Sequence, residues 1–313
     1  MFCDCRISRD AASVRMEPGG KMIHSGDVAS LSTLSRKPRD DEIDVYGITD
    51  IGKTRADNQD HFVIGSLSKR LNVRQSSLPG LDQMPLAEER VAFFAMVADG
   101  VGGGLKGEQA SRTALEISTR YINETARCYY HAEEAEADLV QALEQGAKKC
   151  HQAILAKAAA DHTAAGMATT LTVFIGVWPW IYLLQVGDSR YYRYRDGVLS
   201  QVSRDQTLAQ QLTDDGVIPK EIATKSPLAN VLYSSLGGRK TEPVVTRLPN
   251  SWDSTHLLCS DGLTRHVSDE RIAERLREMR SARQVCEDLV HDALDAGGTD
   301  NITIIVGRAV PAS

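Results

Sequence analysis

Hydrophobic residues follow two kinds of pattern along the chain. Short apolar runs rich in β-branched residues predict strands at 45–51, 62–65, 91–98, 255–259 and 302–307. Apolar residues spaced by three and four predict helices that contain 110–121 and 139–154, and two more at 269–280 and 282–293. Strands at both ends with long helix pairs between them indicate sheets covered by helices, and not a parallel βαβ series.

Two further stretches predict tight hairpins. Residues 166–187 carry no charge and are long enough to cross a bilayer. However, Trp178-Pro179-Trp180 interrupts the stretch and β-branched residues flank it, which favours two strands joined by a turn. Asp196-Gly197 follows a predicted strand at 191–195, and both residues tolerate positive φ, so a second hairpin is expected there.

The remaining segments suggest one domain with an extension and an insertion. Residues 1–41 have no sustained apolar period, which predicts a flexible N-terminal extension, with the folded domain over 42–310 and its first strand near Val45. Residues 66–89 mix Ser, Leu, Pro and Gly with a weak pattern, which predicts a surface insertion.

Composition narrows the class of protein. The chain has 313 residues, of which 42% are hydrophobic and 25% charged, so a sizeable core can form. A net charge of -6 argues against nucleic acid or an anionic membrane as a partner. Six scattered cysteines, no secretory signal and a Phe2 where N-myristoylation needs glycine predict a reducing, cytoplasmic location. We expect a monomer.

Acidic residues sit at the ends of several predicted strands: Asp60, Asp99, Asp188, Asp261 and Asp300. Any one of them alone would be an ordinary turn residue and would not indicate a metal ligand. Several buried carboxylates together would repel and desolvate one another unless cations neutralised them, and all-oxygen ligands favour Mg²⁺ or Mn²⁺. The glycines after Asp99 let the backbone approach an ion, and Gly100 could offer its carbonyl.

These segments, in this order, resemble the metal-dependent PPM family, the type 2C protein serine/threonine phosphatases, and particularly its bacterial members. The similarity runs from Val45 to Arg308 and includes RADNQD at 55–60, DGVGGGLKGEQAS at 99–111, GMATTLT at 166–172, VGDSR at 186–190 and LCSDGLT at 258–264. The resemblance implies an α+β fold, a four-layer α-β-β-α sandwich of two antiparallel sheets flanked by helices.

The resemblance also implies a centre of two Mn²⁺ or Mg²⁺ ions, with a third, weaker ion beside it. Six residues of this chain match the family's ligands: Asp60, Asp99, Gly100, Asp188, Asp261 and Asp300. Asp99 would bridge the two core ions. Asp188 and Asp261 would hold the third ion.

The implied reaction is hydrolysis of phosphoserine and phosphothreonine monoesters on proteins by a metal-activated water, in signalling that a serine/threonine kinase opposes. Arg55 matches the arginine that grips the substrate phosphate, a task for which its planar fork is suited. The family often has Glu where this chain has Gln59, which removes one charge near the ions.

The residues leave two alternative functions open. A cysteine-based phosphatase is formally compatible with Cys-x5-Arg at Cys259–Arg265 and at Cys3–Arg9, although a nucleophilic cysteine needs a loop that stabilises its thiolate. A catalytically silent module that only binds phosphoproteins would keep the same fold, and Gln59 is its only support.

Overall fold

The computed structural model describes residues 36–70, 72–75, 77, 88–102, 105–125, 136–161, 164–223 and 226–311. From Lys37 onward the chain forms one compact unit. Most of the predicted extension, residues 1–35, lies outside the described residues. The last residues of the predicted extension pack on the domain, because Pro38 is buried and Lys37 donates to the carbonyl of Arg90 at 2.6 Å. The compact unit therefore includes Lys37 and Pro38, which precede the predicted boundary at 42.

Two antiparallel sheets form the centre of the domain. The first contains, in spatial order, β1 (Ile43–Asp50), β11 (Ile302–Ala309), β10 (Thr255–Cys259), β7 (Arg190–Arg195) and β8 (Val198–Gln201). The second contains β2 (Asp60–Lys69), β3 (Glu89–Val101), β5 (Leu171–Val177), β6 (Trp180–Val186) and β9 (Val244–Pro249), and the short β4 (Ala168–Thr169) pairs with β3.

Helices cover the outer faces of both sheets. On the second sheet lie α1 (Leu105–Glu124) and α2 (Glu136–Ala160), and on the first lie α6 (Asp269–Arg277) and α7 (Ala282–Asp295). In the part of the chain that the structure describes, short helices lie in connections: α3 (Leu208–Asp214) and α4 (Lys220–Ala223) between β8 and β9, and α5 (Asp261–Thr264) after β10. Single 3-10 turns occur at Asp40–Glu42 and Pro227–Asn230.

The core is divided among the layers, as a four-layer sandwich requires. One apolar cluster joins α1 and α2 to the second sheet, another joins α5, α6 and α7 to the first, and a third fills the space between the sheets. Ile154, Leu289 and Ile305 represent these three clusters, and each is nearly inaccessible to solvent. The predicted α-β-β-α architecture is confirmed.

Local signals explain where most elements begin and end. The predicted helix at 269–280 ends earlier, at Arg277, because the chain turns there to place Ser281 at the N-cap of α7. The Ser281 hydroxyl accepts from the Gln284 amide at 3.2 Å, which satisfies one of the open donors of the helix. Both hairpins are confirmed: Val177 pairs with Trp180 across a two-residue turn, and Asp196 and Gly197 have φ values of 52° and 78°.

The predicted surface insertion covers residues 66–89. β2 continues to Lys69 and β3 begins at Glu89, so both ends of this segment are paired strand. Residues 78–87 lie outside the described residues. Among the helices that the structure describes, none combines the length and the apolar character needed to span a bilayer.

Candidate active site

The second sheet contributes two aspartates that face each other across neighbouring strands. Asp60 begins β2, and Asp99 lies near the end of β3. In the antiparallel register these two residues are direct partners. Their side chains are therefore brought to one edge of the sheet by strand pairing alone.

The first sheet brings further aspartates to the same region. Asp261 follows β10 and Asp300 precedes β11, and because these strands are antiparallel neighbours the two residues meet at one edge. Asp188 lies on the crossover from β6 in the second sheet to β7 in the first. Its position links the two edges.

Two threonines hold Asp99 in place. The Thr170 hydroxyl accepts from the Asp99 amide at 3.0 Å, and the Thr169 hydroxyl donates to the Asp99 carbonyl at 2.8 Å. Thr170 also bonds the Ser189 hydroxyl at 2.8 Å, next to Asp188. The Ala-Thr-Thr segment thus couples the Asp99 loop to the Asp188 loop.

Asn301 organises the loop that leads into β2, a role that reasoning from the sequence missed. Its side-chain oxygen accepts from the Gln59 amide at 2.9 Å, and its amide group donates to the carbonyls of Ile51 and Asp57 at 2.9 and 3.0 Å. Its position directly after Asp300 was the available signal.

Gly100 is required by a close approach of two backbones. A Cβ at Gly100 would overlap the carbonyl of Gly107 in α1, and a Cβ at Gly107 would overlap the side-chain oxygen of Gln59. Side chains larger than hydrogen would push the Asp99 loop away from the helix. The buried amide of Gln59 therefore fills the space beneath this loop.

The carboxylates raise one another's pKa values. Burial raises the pKa of Asp99 well above its usual range, and the charges of Asp60, Asp261, Asp188 and Asp300 add to the effect. Burial likewise raises the pKa of Asp188, to which the charge of Asp261 contributes. These side chains therefore share one electrostatic site that strongly favours a neutralising cation.

The surroundings of the Asp60 carboxyl group are the most direct indication of a cation site. Burial raises its pKa to about 7, while the Ser260 and Thr303 hydroxyls act in the opposite direction. These hydroxyls already bond to Asn301 and Thr49. Among the described residues, neither buried oxygen of Asp60 has a hydrogen-bond partner of good geometry. Buried carboxylate oxygens of this kind fit a hard cation.

Two arginines neutralise the outer side of the cluster. Arg55 donates to Asp300 Oδ2 at 2.8 Å, and its side chain is 44% exposed. Arg265 donates to the same oxygen at 3.2 Å and also contacts Asp261 Oδ2. Reasoning from the sequence named Arg55 but did not assign Arg265 to this site, although its i,i+4 spacing from Asp261 was visible.

The donor set fits a divalent ion, although the ligand shell is not closed. Asp99 and Asp261 lie in one electrostatic field, since the charge of Asp261 helps to raise the pKa of Asp99. Among the described residues, no three acidic, His or Cys side chains are already gathered around a single point. A bound cation would offset the mutual repulsion of these carboxylates.

The cysteine alternative is not supported by the geometry. Cys259 is the last residue of β10 and is fully buried, and burial raises its pKa to about 12. A nucleophilic cysteine needs the opposite shift. Arg265, the arginine of the formal Cys-x5-Arg match, pairs with aspartates. Cys3 lies outside the described residues.

A mainly apolar cleft with a volume of about 90 Å³ lies elsewhere, between the sheets. Its walls include Ile43, Arg90, His256 and Arg308. Its lining includes none of the five aspartates. The cleft is therefore distinct from the carboxylate site.

Comparison with known proteins places the chain in a family. The family model described as "Protein phosphatase 2C" matches residues 74–296. The serine/threonine protein phosphatase PstP of Mycobacterium tuberculosis is 34% identical over 219 residues, which are 70% of this chain and 41% of the relative. The chain thus spans about two fifths of that relative. The serine/threonine phosphatase stp of Listeria monocytogenes is 34% identical over 68% of this chain and 83% of its own length.

Solved structures of phosphatases are also similar to this chain. The crystal structure of the M. tuberculosis phosphatase PstP/Ppp has a TM-score of 0.68 at 29% identity, with 86% of this chain and 99% of that chain covered. The catalytic domain of PstP in complex with two manganese ions has a TM-score of 0.66 at the same identity and coverage. With its sandwich fold and its ordered aspartate motifs, this chain belongs to the protein phosphatase 2C family, the bacterial PPM group.

Proposed function

We propose that this protein is a Mn²⁺- or Mg²⁺-dependent phosphatase that hydrolyses phosphoserine and phosphothreonine on other proteins. The observation that carries the proposal is the cluster of buried aspartates from both sheets, whose pKa values are raised by burial and by one another. The names of the relatives, all serine/threonine or protein phosphatases, support the same activity.

Six residues are proposed to hold the metal ions. Asp60, Asp99, Asp261, Asp300 and the Gly100 carbonyl would hold the core ions, and Asp188 with Asp261 would hold a third. When bound, such ions supply Lewis acidity and an activated water for attack on phosphorus. The metal-bound PstP structure supports a pair of ions, with manganese as one suitable metal.

The chain's own residues would position the substrate. Arg55 lies at the exposed rim of the cluster, where its guanidinium can reach a phosphate and remains charged at any working pH. Its bond to Asp300 fixes the direction of its planar fork. We therefore assign Arg55 to phosphate binding and orientation.

The proposed setting is cytoplasmic signalling. The substrates would be phosphorylated proteins, and a serine/threonine kinase would oppose the reaction. The net charge of -6 favours neither nucleic acid nor an anionic membrane surface as a partner. We propose a monomer, which light scattering on the purified chain tests directly.

An Asp99→Asn variant tests the proposed activity. Release of phosphate from a phosphothreonine peptide is measured with saturating Mn²⁺ for the parent, Asp99→Asn and the control Asp138→Asn, which changes an exposed aspartate at the start of α2. We expect Asp99→Asn to lose activity by a factor on the order of 10³, because a charge that would hold the metal ions is lost. Asp138→Asn should match the parent.

The alternative of a silent binding module has a distinct outcome. A folded parent protein that binds the peptide with saturating Mn²⁺ but releases no phosphate would support the binder and refute the enzyme. Turnover that survives in Asp99→Asn would refute the metal assignment.

A further inference from the structure

The cleft between the two sheets reaches the strand ends that lie away from the aspartates. β3 contributes Arg90 near its start, whereas Asp99 lies near its end. β11 begins shortly after Asp300 and contributes Gly307 near its other end. A molecule bound in this cleft would therefore not compete for space with a substrate at the carboxylate site.

Two glycines on facing sheets leave the cleft open. Gly176 of β5 and Gly307 of β11 both line it, although inward positions of a sandwich usually carry side chains that fill the core. Neither glycine has a positive φ. A Cβ at either position would meet only a side chain as its nearest contact, the Phe174 ring or a Val45 methyl, both at 3.3 Å. The backbone does not require glycine here, so these positions provide empty volume.

Aromatic rings form much of the wall of this volume. Phe93, Phe174 and Trp178 line the cleft, and the centroid of the His256 ring lies 5.1 Å from that of Phe174. The Nδ1 atom of His256 is 2.9 Å from the Tyr191 hydroxyl, which fixes the imidazole ring. Burial lowers the pKa of His256 to about 3, so this ring is neutral at working pH. Such walls favour a flat, aromatic ligand.

The charged side chains that line the cleft are all basic: Lys37, Arg90 and Arg308. Arg308 is committed to other groups, because it pairs with Asp44 at 3.2 Å and donates to the Arg280 carbonyl at 2.7 Å. Lys37 pairs with Glu89 at 3.2 Å. The lining therefore combines apolar walls with positive charge and has no carboxylate of its own.

Arg90 is the basic residue best placed to bind an anion. Its side chain is only 7% exposed, whereas its acidic partner Asp40, 3.1 Å away, is 74% exposed. The Arg90 guanidinium also donates to the Pro38 carbonyl. These two contacts leave further N–H donors of the guanidinium for a ligand. Burial lowers the pKa of Arg90 and Asp40 opposes this effect, so a second anion would stabilise the buried charge.

We propose that the cleft binds a small aromatic carboxylate, with its ring between the sheets and its carboxylate on the guanidinium of Arg90. A planar carboxylate matches the fork of a guanidinium. The volume of about 90 Å³ limits the buried part of the ligand to a single ring. This binding site goes beyond the proposed phosphatase activity and does not depend on the metal ions.

Titration of the full chain with phenylacetate tests the proposal without measuring activity. Tryptophan fluorescence is the readout, because Trp178 lines the cleft. Chelator is present, so that no metal ion can hold the carboxylate. We expect a saturable change for the parent. Phenylacetamide, which has a similar shape but no charge, should bind at least about tenfold more weakly, because a charge-assisted hydrogen bond is lost.

Valine substitutions that fill the cleft give the matching variants. Gly307→Val adds a side chain from the first sheet and Gly176→Val adds one from the second. Both should abolish saturable binding of phenylacetate. They should keep or raise the melting temperature, because valine favours strands and fills empty volume. The control Ser200→Val adds the same side chain at an exposed position of β8 and should bind like the parent.

The outcomes separate the parts of the proposal. Equal phenylacetate affinity in the parent and in a folded Gly307→Val or Gly176→Val would place the ligand outside the cleft and overturn the proposal. Equal affinity for phenylacetate and phenylacetamide would refute recognition of a carboxylate. An absence of saturable binding to the parent would refute the site. Circular dichroism verifies that each variant is folded.

Discussion

At the scale of single residues, the buried carboxylates of this site destabilise the folded protein. Asp60 has two buried oxygens without a good hydrogen-bond partner among the described residues, and Asp99 is surrounded by other carboxylates. Burying such groups without compensation costs several kcal/mol in ordinary proteins. A bound cation would compensate this cost.

The metal-free protein should become less stable as pH rises, and Asp60→Asn should weaken this trend. Asp60 has a pKa of about 7 in the folded chain against 3.8 as the reference value. The folded state therefore keeps a proton that the unfolded state releases between pH 4 and 7, so stability falls across that window and stays low above it.

With chelator present, we expect Asp60→Asn to raise the melting temperature relative to the parent by on the order of 5 °C at pH 8. The difference should shrink towards pH 4, where the folded parent carboxyl is protonated and the unfolded one is partly protonated. Thermal melts followed by circular dichroism measure both values. A difference that is the same at pH 4 and pH 8 would contradict the assignment of a buried, unpaired carboxyl.

At the scale of secondary-structure elements, ion pairs fasten the outer helices to each other. Asp292 of α7 accepts from Arg275 at 2.7 and 2.8 Å and from Arg271 at 2.9 and 3.1 Å, and both arginines lie on α6. Four hydrogen bonds to one carboxylate make a well-defined network, unlike an isolated surface pair. The pair α6 and α7 covers the sheet that carries Asp261 and Asp300.

Asp292→Asn should destabilise the protein at neutral pH. Hydrogen bonds from Arg275, followed by those from Arg271, lower the pKa of Asp292 to about 2. A lowered pKa stabilises the folded state above the unfolded value near 4, and this contribution is lost as pH falls towards 2.

We expect Asp292→Asn to lower the melting temperature by on the order of 3 °C at pH 7 and by nothing measurable at pH 2. Asp295→Asn, at the exposed C-terminal residue of α7, is the matched control and should change little. Equal melting temperatures for Asp292→Asn and Asp295→Asn at pH 7 would show that the network contributes no stability.

For the whole molecule, the site depends on how the two sheets face each other. Asp60 and Asp99 come from the second sheet, Asp261 and Asp300 from ends of strands in the first, and Asp188 from a crossover between them. A metal ion bound to both sets would join the sheets at one edge. Metal binding is therefore expected to stabilise the entire domain.

Saturating Mn²⁺ should raise the melting temperature of the parent, and chelator should reverse the change. A ligand that binds only the folded state stabilises it by about 2.7 kcal/mol when present at a hundred times its Kd. Differential scanning fluorimetry with Mn²⁺ or chelator measures the shift, and Asp99→Asn should show a much smaller one. An unchanged melting temperature of the parent in millimolar Mn²⁺ would argue against the centre.

Much of the fold could be predicted because its signals are local. The backbone preferences of Asp196-Gly197 and Trp178-Pro179 predict their hairpins. The apolar spacing from Leu139 to Ile154 predicts the helix α2. Arg265 was missed for the opposite reason. Its contact with Asp261 follows from helical spacing, but its contact with Asp300 depends on a residue 35 positions away.

The sequence by itself determined the elements, the acidic strand ends and the family likeness, because periodicity and motif order need no knowledge of the third dimension. Only the tertiary structure decided which charges meet. Strand pairing sets Asp60 opposite Asp99, and the packing of the two sheets then determines which buried carboxylates raise one another's pKa and which arginine neutralises them. Those effects depend on burial and on distances of a few ångströms between residues far apart in the chain.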